Sequence, residues 1–154
     1  MSAALDELLT RAYRYALSLT HDAASAEDLV QEACVGISRR GGPWHVGYLF
    51  AAVRNAWIDS ARKRTPPTVP MAAMDHEPAA CEQAAAGLES TEQIDRLLGQ
   101  LNPPEREAVY LMVVEGYTAA EVADLTGCPR NTVLSRVHRG KTKLRRLLLE
   151  EAQR

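Results

Sequence analysis

The sequence predicts an all-α protein of two small helical domains, joined by a flexible Pro/Ala-rich acidic linker, the second domain containing a helix-turn-helix. Three observations predict it. Apolar residues recur at three- and four-residue spacing on both sides of the centre, as they do in helices with one buried side. Thr65-Pro66-Pro67-Thr68-Val69-Pro70 cannot continue a helix, because prolines remove backbone donors and restrict the residues before them. The stretch from Tyr117 to Arg139 reads as helix, tight turn, helix. The expected division is a first domain over 1–64, a linker over 65–88 and a second domain over 89–154.

In the first domain, Leu5, Leu8, Leu9, Ala12, Ala16 and Leu19 make one helical stripe, which Thr20-His21-Asp22 breaks. Asp22 or Ser25 can cap the next helix, and Ser25 with Asp28 makes an Asp-containing version of the capping box. Ala26, Leu29, Val30, Ala33 and Ile37 form the second stripe. The opposite side carries Glu27, Asp28, Gln31 and Glu32. Carboxylates in a first turn suit the helix dipole, which accounts for Glu27 and Asp28 but not for Gln31 and Glu32 further along. Arg39-Arg40-Gly41-Gly42-Pro43 ends this helix. A third helix begins near His45, with Val46, Leu49, Phe50, Val53 and Trp57 on a buried stripe and Arg54, Asn55, Ile58, Asp59 and Arg62 towards another side. Most of the aromatics Trp44, Tyr48, Phe50 and Trp57 are expected in the core. The alternative is that the Arg/Asn face beside them grips a DNA strand and stacks its bases.

From Met71 to Gly87 the chain is rich in Ala and poor in apolar bulk, which reads as linker with one short helix around Ala79–Ala86. The twenty-four residues of 65–88 would span roughly 80 Å if extended. Beyond it, Ser90 or Thr91 starts a helix with Ile94, Leu97, Leu98 and Leu101 on its stripe. Asn102-Pro103-Pro104 separates this from a helix with Arg106, Val109, Tyr110, Val113 and Val114, which Glu115-Gly116 ends.

The helix-turn-helix follows. Thr118 and Glu121 make a capping box, Gly127 supplies a positive φ at the turn, and Pro129 suits the first turn of the last helix. Ala123, Gly127 and Val133 provide the small contact, the turn and the apolar plug that two steeply crossing helices need. Val133, Val137, Leu144 and Leu148 face a core, while Arg130, Asn131, Thr132, Ser135, Arg136 and Arg139 fall on other faces. Arg can hold guanine O6 and N7, Asn can hold adenine, and Ser or Thr can reach bases or phosphate, so this face suits a major groove. Gly140 is expected to interrupt the last helix at a cost of about 1 kcal/mol relative to Ala.

Composition bounds the function. The formal net charge of −2 conceals two mildly basic ends around an acidic middle. Residues 1–64 hold eight Lys/Arg against seven Asp/Glu, 65–100 hold one against six, and 101–154 hold nine against seven. Local fields decide partners more than the total does. No apolar run is long enough to span a bilayer and the N-terminus lacks a signal-peptide core, so a cytoplasmic protein is expected. Cys34, Cys81 and Cys128 are scattered, so neither a disulfide framework nor a metal site is expected. His76 and Cys81 have no second ligand pair, and Cys34 packs as a small apolar residue. No nucleophile–base set and no phosphate-binding Gly loop is present, so no catalytic residue and no cofactor is expected.

Both halves together resemble the extracytoplasmic-function class of bacterial RNA polymerase sigma factors. The matching motifs are residues 22–33 (Asp22 to Ala33), 48–59 (Tyr48 to Asp59), 101–109 (Leu101 to Val109), 115–123 (Glu115 to Ala123) and 131–139 (Asn131 to Arg139), in this order across a linker. The resemblance implies a promoter-specific initiation factor and assigns its parts. Asp28, Gln31 and Glu32 would bind the clamp helices of the polymerase β′ subunit. Arg54, Asn55, Asp59 and Arg62, with the loop Arg39–Trp44, would melt and read the −10 element. Arg130, Asn131, Thr132, Ser135, Arg136 and Arg139 would read the −35 element from a domain docked on the β flap. The acidic linker would thread the RNA channel, and an anti-sigma factor would supply control. Two rivals are a stand-alone helix-turn-helix regulator that dimerises on a palindrome and a sigma-mimicking adaptor that titrates an anti-sigma factor. The acidic face of the second helix and the Arg/Asn face of the third argue against the first; the Arg- and Asn-bearing last helix argues against the second.

Overall fold

A computed structural model describes residues 3–64 and 91–153, and all the regular structure among them is helical. The chain divides into two units between Pro70 and Met71. The expected linker over 65–88, the short helix around Ala79–Ala86 and the pair His76/Cys81 lie outside the described residues.

The first unit is three helices, α1 (Ala3–Thr20), α2 (Ala23–Arg40) and α3 (Val46–Arg64). Each packs against the other two. The core takes Ala12, Tyr15, Ala16 and Leu19 from α1, Ala26, Leu29, Ala33 and Ile37 from α2, and Leu49, Phe50, Val53 and Ala56 from α3. Small Ala residues let the helices approach, and the Tyr15 and Phe50 rings stack with centroids 4.6 Å apart in the gap that remains. Of the two candidate caps, Asp22 takes the position: its Oδ2 accepts from the Ser25 N–H at 3.0 Å and the Ser25 hydroxyl at 2.6 Å. Gly41 closes α2 at φ 83°, a left-handed conformation that costs a residue without Cβ nothing. The aromatics divide differently from expectation. Phe50 is fully buried and Trp57 half-buried, but Trp44 and Tyr48 stand 48% and 37% exposed. Trp44 precedes α3 and Tyr48 lies in its first turn.

The second unit has α4 (Thr91–Leu98), α5 (Pro103–Val109), a π-helical turn (Tyr110–Val114), α6 (Ala119–Thr126) and α7 (Arg130–Ala152). Asn102 caps α5 in a reciprocal box with Glu105, and the buried Glu105 Oε1 also accepts from Lys143 Nζ of α7 at 2.7 Å. Leu97, Leu101, Val109 and Leu144 form a core cluster, flanked by Leu98, Leu147 and Leu148. The π turn changes the register expected for Val113 and Val114. Its wider i→i+5 bonding, seen where the Glu115 N–H donates to Tyr110 O at 3.1 Å, keeps Tyr110 and Leu111 inside and turns the two valines out, 43% and 53% exposed.

Gly140 corrects a second expectation. The 23-residue α7 runs through it without a break, and Gly140 is buried. A Cβ there would lie 2.6 Å from Val109 Cγ2, so Gly140 marks the close crossing of α5 and α7 rather than an interruption.

Candidate functional site

The helix-turn-helix is held by local rules that the structure satisfies one by one. The Glu121 N–H donates to Thr118 Oγ1 at 3.1 Å, and Glu121 Oε1 accepts from the Thr118 N–H at 3.0 Å. This hydrogen bond from the Thr118 backbone, more than the Thr118 hydroxyl, holds the Glu121 carboxyl below the usual carboxylate range. Gly127 leaves α6 at φ 72° and its N–H donates to Ala123 O at 2.9 Å. Pro129 occupies the N-cap of α7 and accepts the Val133 N–H on its carbonyl. Val122, Val133 and Val137 are fully buried, so α6 and α7 share an apolar contact on either side of the turn.

This framework presents only part of the expected DNA-reading set. Arg130 and Asn131 are exposed at the head of α7, and Thr132 and Arg139 are half-buried. Ser135 and Arg136 do not join them: they are 3% and 7% exposed, inside the unit. The cause is helical phase. Arg136 is three residues after Val133 and four before Gly140, so it falls on the arc that packs inwards. Its Nη1 donates to Cys128 Sγ at 3.2 Å. Arg139 lies along the helix, its Nε donating to Ser135 O at 3.4 Å.

In the first unit, α2 and α3 border an open cleft of about 570 Å³. Asp28, Gln31 and Glu32 line it from α2, and Asn55 and Asp59 line it from α3. Residues of two sets, expected on the second and third helices with different partners, therefore share one cleft, with Arg54 and Arg62 outside its lining. Arg39 and Arg40 close the end near the loop, and the Arg40 guanidinium sits 5.8 Å from the centre of the Tyr48 ring, within cation–π range. Cys34 is half-buried on α2, and burial pushes its thiol pKa up, which favours the unreactive protonated form. Among the described residues no group of three or more His, Cys, Asp or Glu is placed to hold a metal ion, and no helix is long and apolar enough to cross a membrane.

Comparisons with known proteins bear on both units. Residues 5–66 match the family model Sigma-70 region 2, and residues 91–144 match Sigma-70, region 4. The RNA polymerase sigma factor CarQ of Myxococcus xanthus is 33% identical over 141 residues, spanning 86% of this chain and 79% of that one. SigL of Mycobacterium tuberculosis, an extracytoplasmic-function (ECF) RNA polymerase sigma factor, is 32% identical across 97% of this chain and 89% of its own. The chain belongs to the extracytoplasmic-function sigma factors. Among solved structures, the sigma factor RpoE of Bartonella quintana, crystallised with the anti-sigma factor NepR, matches with a TM-score of 0.71 at 27% identity, covering 95% of this chain and 94% of that one.

As a sigma factor, the protein binds RNA polymerase core and directs initiation from chosen promoters. Three features of this sigma factor escaped the sequence reading. The Cys128–Arg136 contact and the Gly140 crossing have one signal in common: Val133, Arg136, Gly140 and Leu144 recur at a core spacing, hidden because two of the four are not apolar. The outward Val113 and Val114 have no such signal, since nothing in their apolar sequence announces a π turn.

Proposed function

We propose that this sigma factor grips core polymerase through the α2 wall of the cleft, with Asp28, Gln31 and Glu32 against a basic partner surface. Arg54, Asn55, Asp59 and Arg62 contact the −10 element, beside the Arg39–Trp44 segment that ends α2 and leads into α3. Arg130, Asn131, Thr132 and Arg139 contact the −35 element, the second unit docks on the β flap, and an anti-sigma factor covers these surfaces when the protein is silent. It acts in the cytoplasm and without covalent chemistry of its own.

The observation that carries this reading is the placement of exposed charge. Carboxylates stand exposed on the α2 wall of the cleft, whereas the head of α7 carries exposed Arg130 and Asn131 with no acidic residue in its first turn. A cation at a helix N-terminus works against the helix dipole, by a few tenths of a kcal/mol or more. An incoming phosphate gains from both the cation and the dipole, which turns that local penalty into affinity.

Reconstituted transcription tests the reading. Asp28→Arg with Glu32→Arg is expected to abolish binding to core while the helical circular dichroism is retained. Arg130→Ala with Asn131→Ala is expected to keep core binding and lose −35-dependent transcription. Core affinity of the first double variant equal to wild type would remove the polymerase assignment, and undiminished −35 dependence in the second would remove the DNA assignment.

A further inference from the structure

We infer that Arg136 is a positioning residue: its guanidinium, bound to the Cys128 thiol, holds the turn of the helix-turn-helix and so sets where Arg130 and Asn131 meet DNA. The inference rests on the proposed −35 role of those two residues and assigns Arg136 a different task from theirs.

Three observations carry it. Arg136 is 93% buried, so neither a base edge nor a phosphate can reach it without the unit opening. Its Nη1 donates to Cys128 Sγ at 3.2 Å, eight residues back along the chain. Side chains on an α-helix lean towards its N-terminus, so a long side chain on the second turn of α7 reaches back to the segment that precedes the helix. Cys128 is tied in turn to the end of α6, its Sγ lying 3.9 Å from Thr126 O, and the Thr126 hydroxyl donates to Val122 O at 2.8 Å. The chain of contacts runs from α7 through the turn to α6, and Gly127 within that turn has no side chain of its own to brace it.

The contact matters for reading because Arg130 and Asn131 begin α7 directly after this turn. A bidentate contact to a base tolerates only a few tenths of an ångström, since hydrogen bonds weaken steeply outside roughly 2.7–3.2 Å. A turn free to rock would present the same side chains less often in a productive pose. Removing the brace therefore lowers affinity for every sequence by a similar factor. It removes no contact to DNA.

The test uses holoenzyme assembled from the full chain and core polymerase, on an upstream duplex selected by the wild-type holoenzyme from a random library. Arg136→Ala, Cys128→Ala and their combination are compared with Cys128→Ser, which keeps an acceptor, and with Arg130→Ala as the DNA-contact control. Arg136→Ala and Cys128→Ala are each expected to lose roughly three- to tenfold in affinity, the scale of one ordinary hydrogen bond. The combination should lose little more than either alone, and Cys128→Ser should stay near wild type. The slope of log affinity against log salt should be unchanged in all of these, whereas Arg130→Ala should make it shallower by about 0.9. A shallower slope for Arg136→Ala, or relaxed preference at a single base pair, would overturn the inference by making Arg136 a DNA contact. Cys128→Ala with wild-type affinity would overturn it too, and decides the matter alone if Arg136→Ala does not fold. If Arg130→Ala leaves slope and affinity untouched, the failure belongs to the −35 assignment, and the Cys128 variants still report on the brace through any loss of affinity they cause.

Discussion

Replacing Gly140 by alanine should destabilise this sigma factor, although the same change in an exposed helix would stabilise it. The helix propensity gain is about 1 kcal/mol. Against it stands geometry. The new Cβ would lie 2.6 Å from Val109 Cγ2, where carbon atoms prefer roughly 3.5–4.0 Å, so about 1 Å of separation has to be found. Val109 is buried on α5 and, being β-branched, is held to one main rotamer in a helix. Leu101 Cδ1 at 3.5 Å and Glu105 O at 3.6 Å close two other directions. Overpacking of this kind costs about 1–3 kcal/mol, which leaves a net loss of about 1 kcal/mol after the propensity gain. For a unit of this size that is a fall of about 5 °C in melting temperature. The assay is a double-mutant cycle by chemical denaturation, with Val109→Ala as the second change. Val109→Ala removes the obstructing methyl and, alone, leaves a cavity; in the Gly140→Ala background the new methyl partly fills it. The two changes should therefore couple favourably by about 1 kcal/mol. A Gly140→Ala variant stabilised by the full propensity gain, with no coupling to Val109, would refute the close crossing.

The other expectations concern single interactions. Asp22→Ala removes the cap of α2 and should cost about 1 kcal/mol, whereas Asp22→Asn should keep most of that stability; equal denaturation midpoints for wild type and Asp22→Ala would remove the cap from the account. Glu121 has a folded-state pKa held below its unfolded value, so it adds stability above the unfolded pKa and loses it as pH falls through the folded one. The stability gap between wild type and Glu121→Gln should thus be full near neutrality and close below the ordinary carboxylate range; a gap constant from about pH 7 to about pH 3 would contradict this. Lys143→Ala takes a partner from the buried Glu105 carboxylate and should cost about 1–2 kcal/mol, less than a fully buried pair because the Lys143 side chain is 38% exposed. Adding Glu105→Gln should recover part of that loss, and a further equal loss would show that the ion pair is not the cause.

How much of this was legible beforehand follows from the range of each rule. The Thr118/Glu121 box and the Gly127 turn are set within four residues and each is realised. Of the two caps open for α2 the structure takes Asp22, which places Ser25 inside the helix as a donor to Asp22 rather than in a box with Asp28. The set proposed to face DNA is legible only in part. Arg130 and Asn131 follow a turn whose position the sequence fixes, so their exposure could be anticipated. Ser135 and Arg136 carry the polarity of surface residues, so spacing alone points them outwards, whereas their burial on α7 is decided by the elements it packs against. In the first unit, spacing puts Asn55 and Asp59 on one helix and Asp28, Gln31 and Glu32 on another without relating the two, and the packing of α2 on α3 places all five around one cleft.

The amino-acid order alone determined that this chain is helical, that it falls in two parts, where most helices begin and end, and which family it resembles, because caps, prolines and apolar spacing act over a few residues. Only tertiary packing decided which arc of α7 lies inside, that a glycine there is a contact rather than a weakness, and that Arg136 turns inwards to a thiol. Those outcomes depend on the shape of the neighbouring helix. A buried arginine and a buried glycine carry no apolar signal that spacing could reveal.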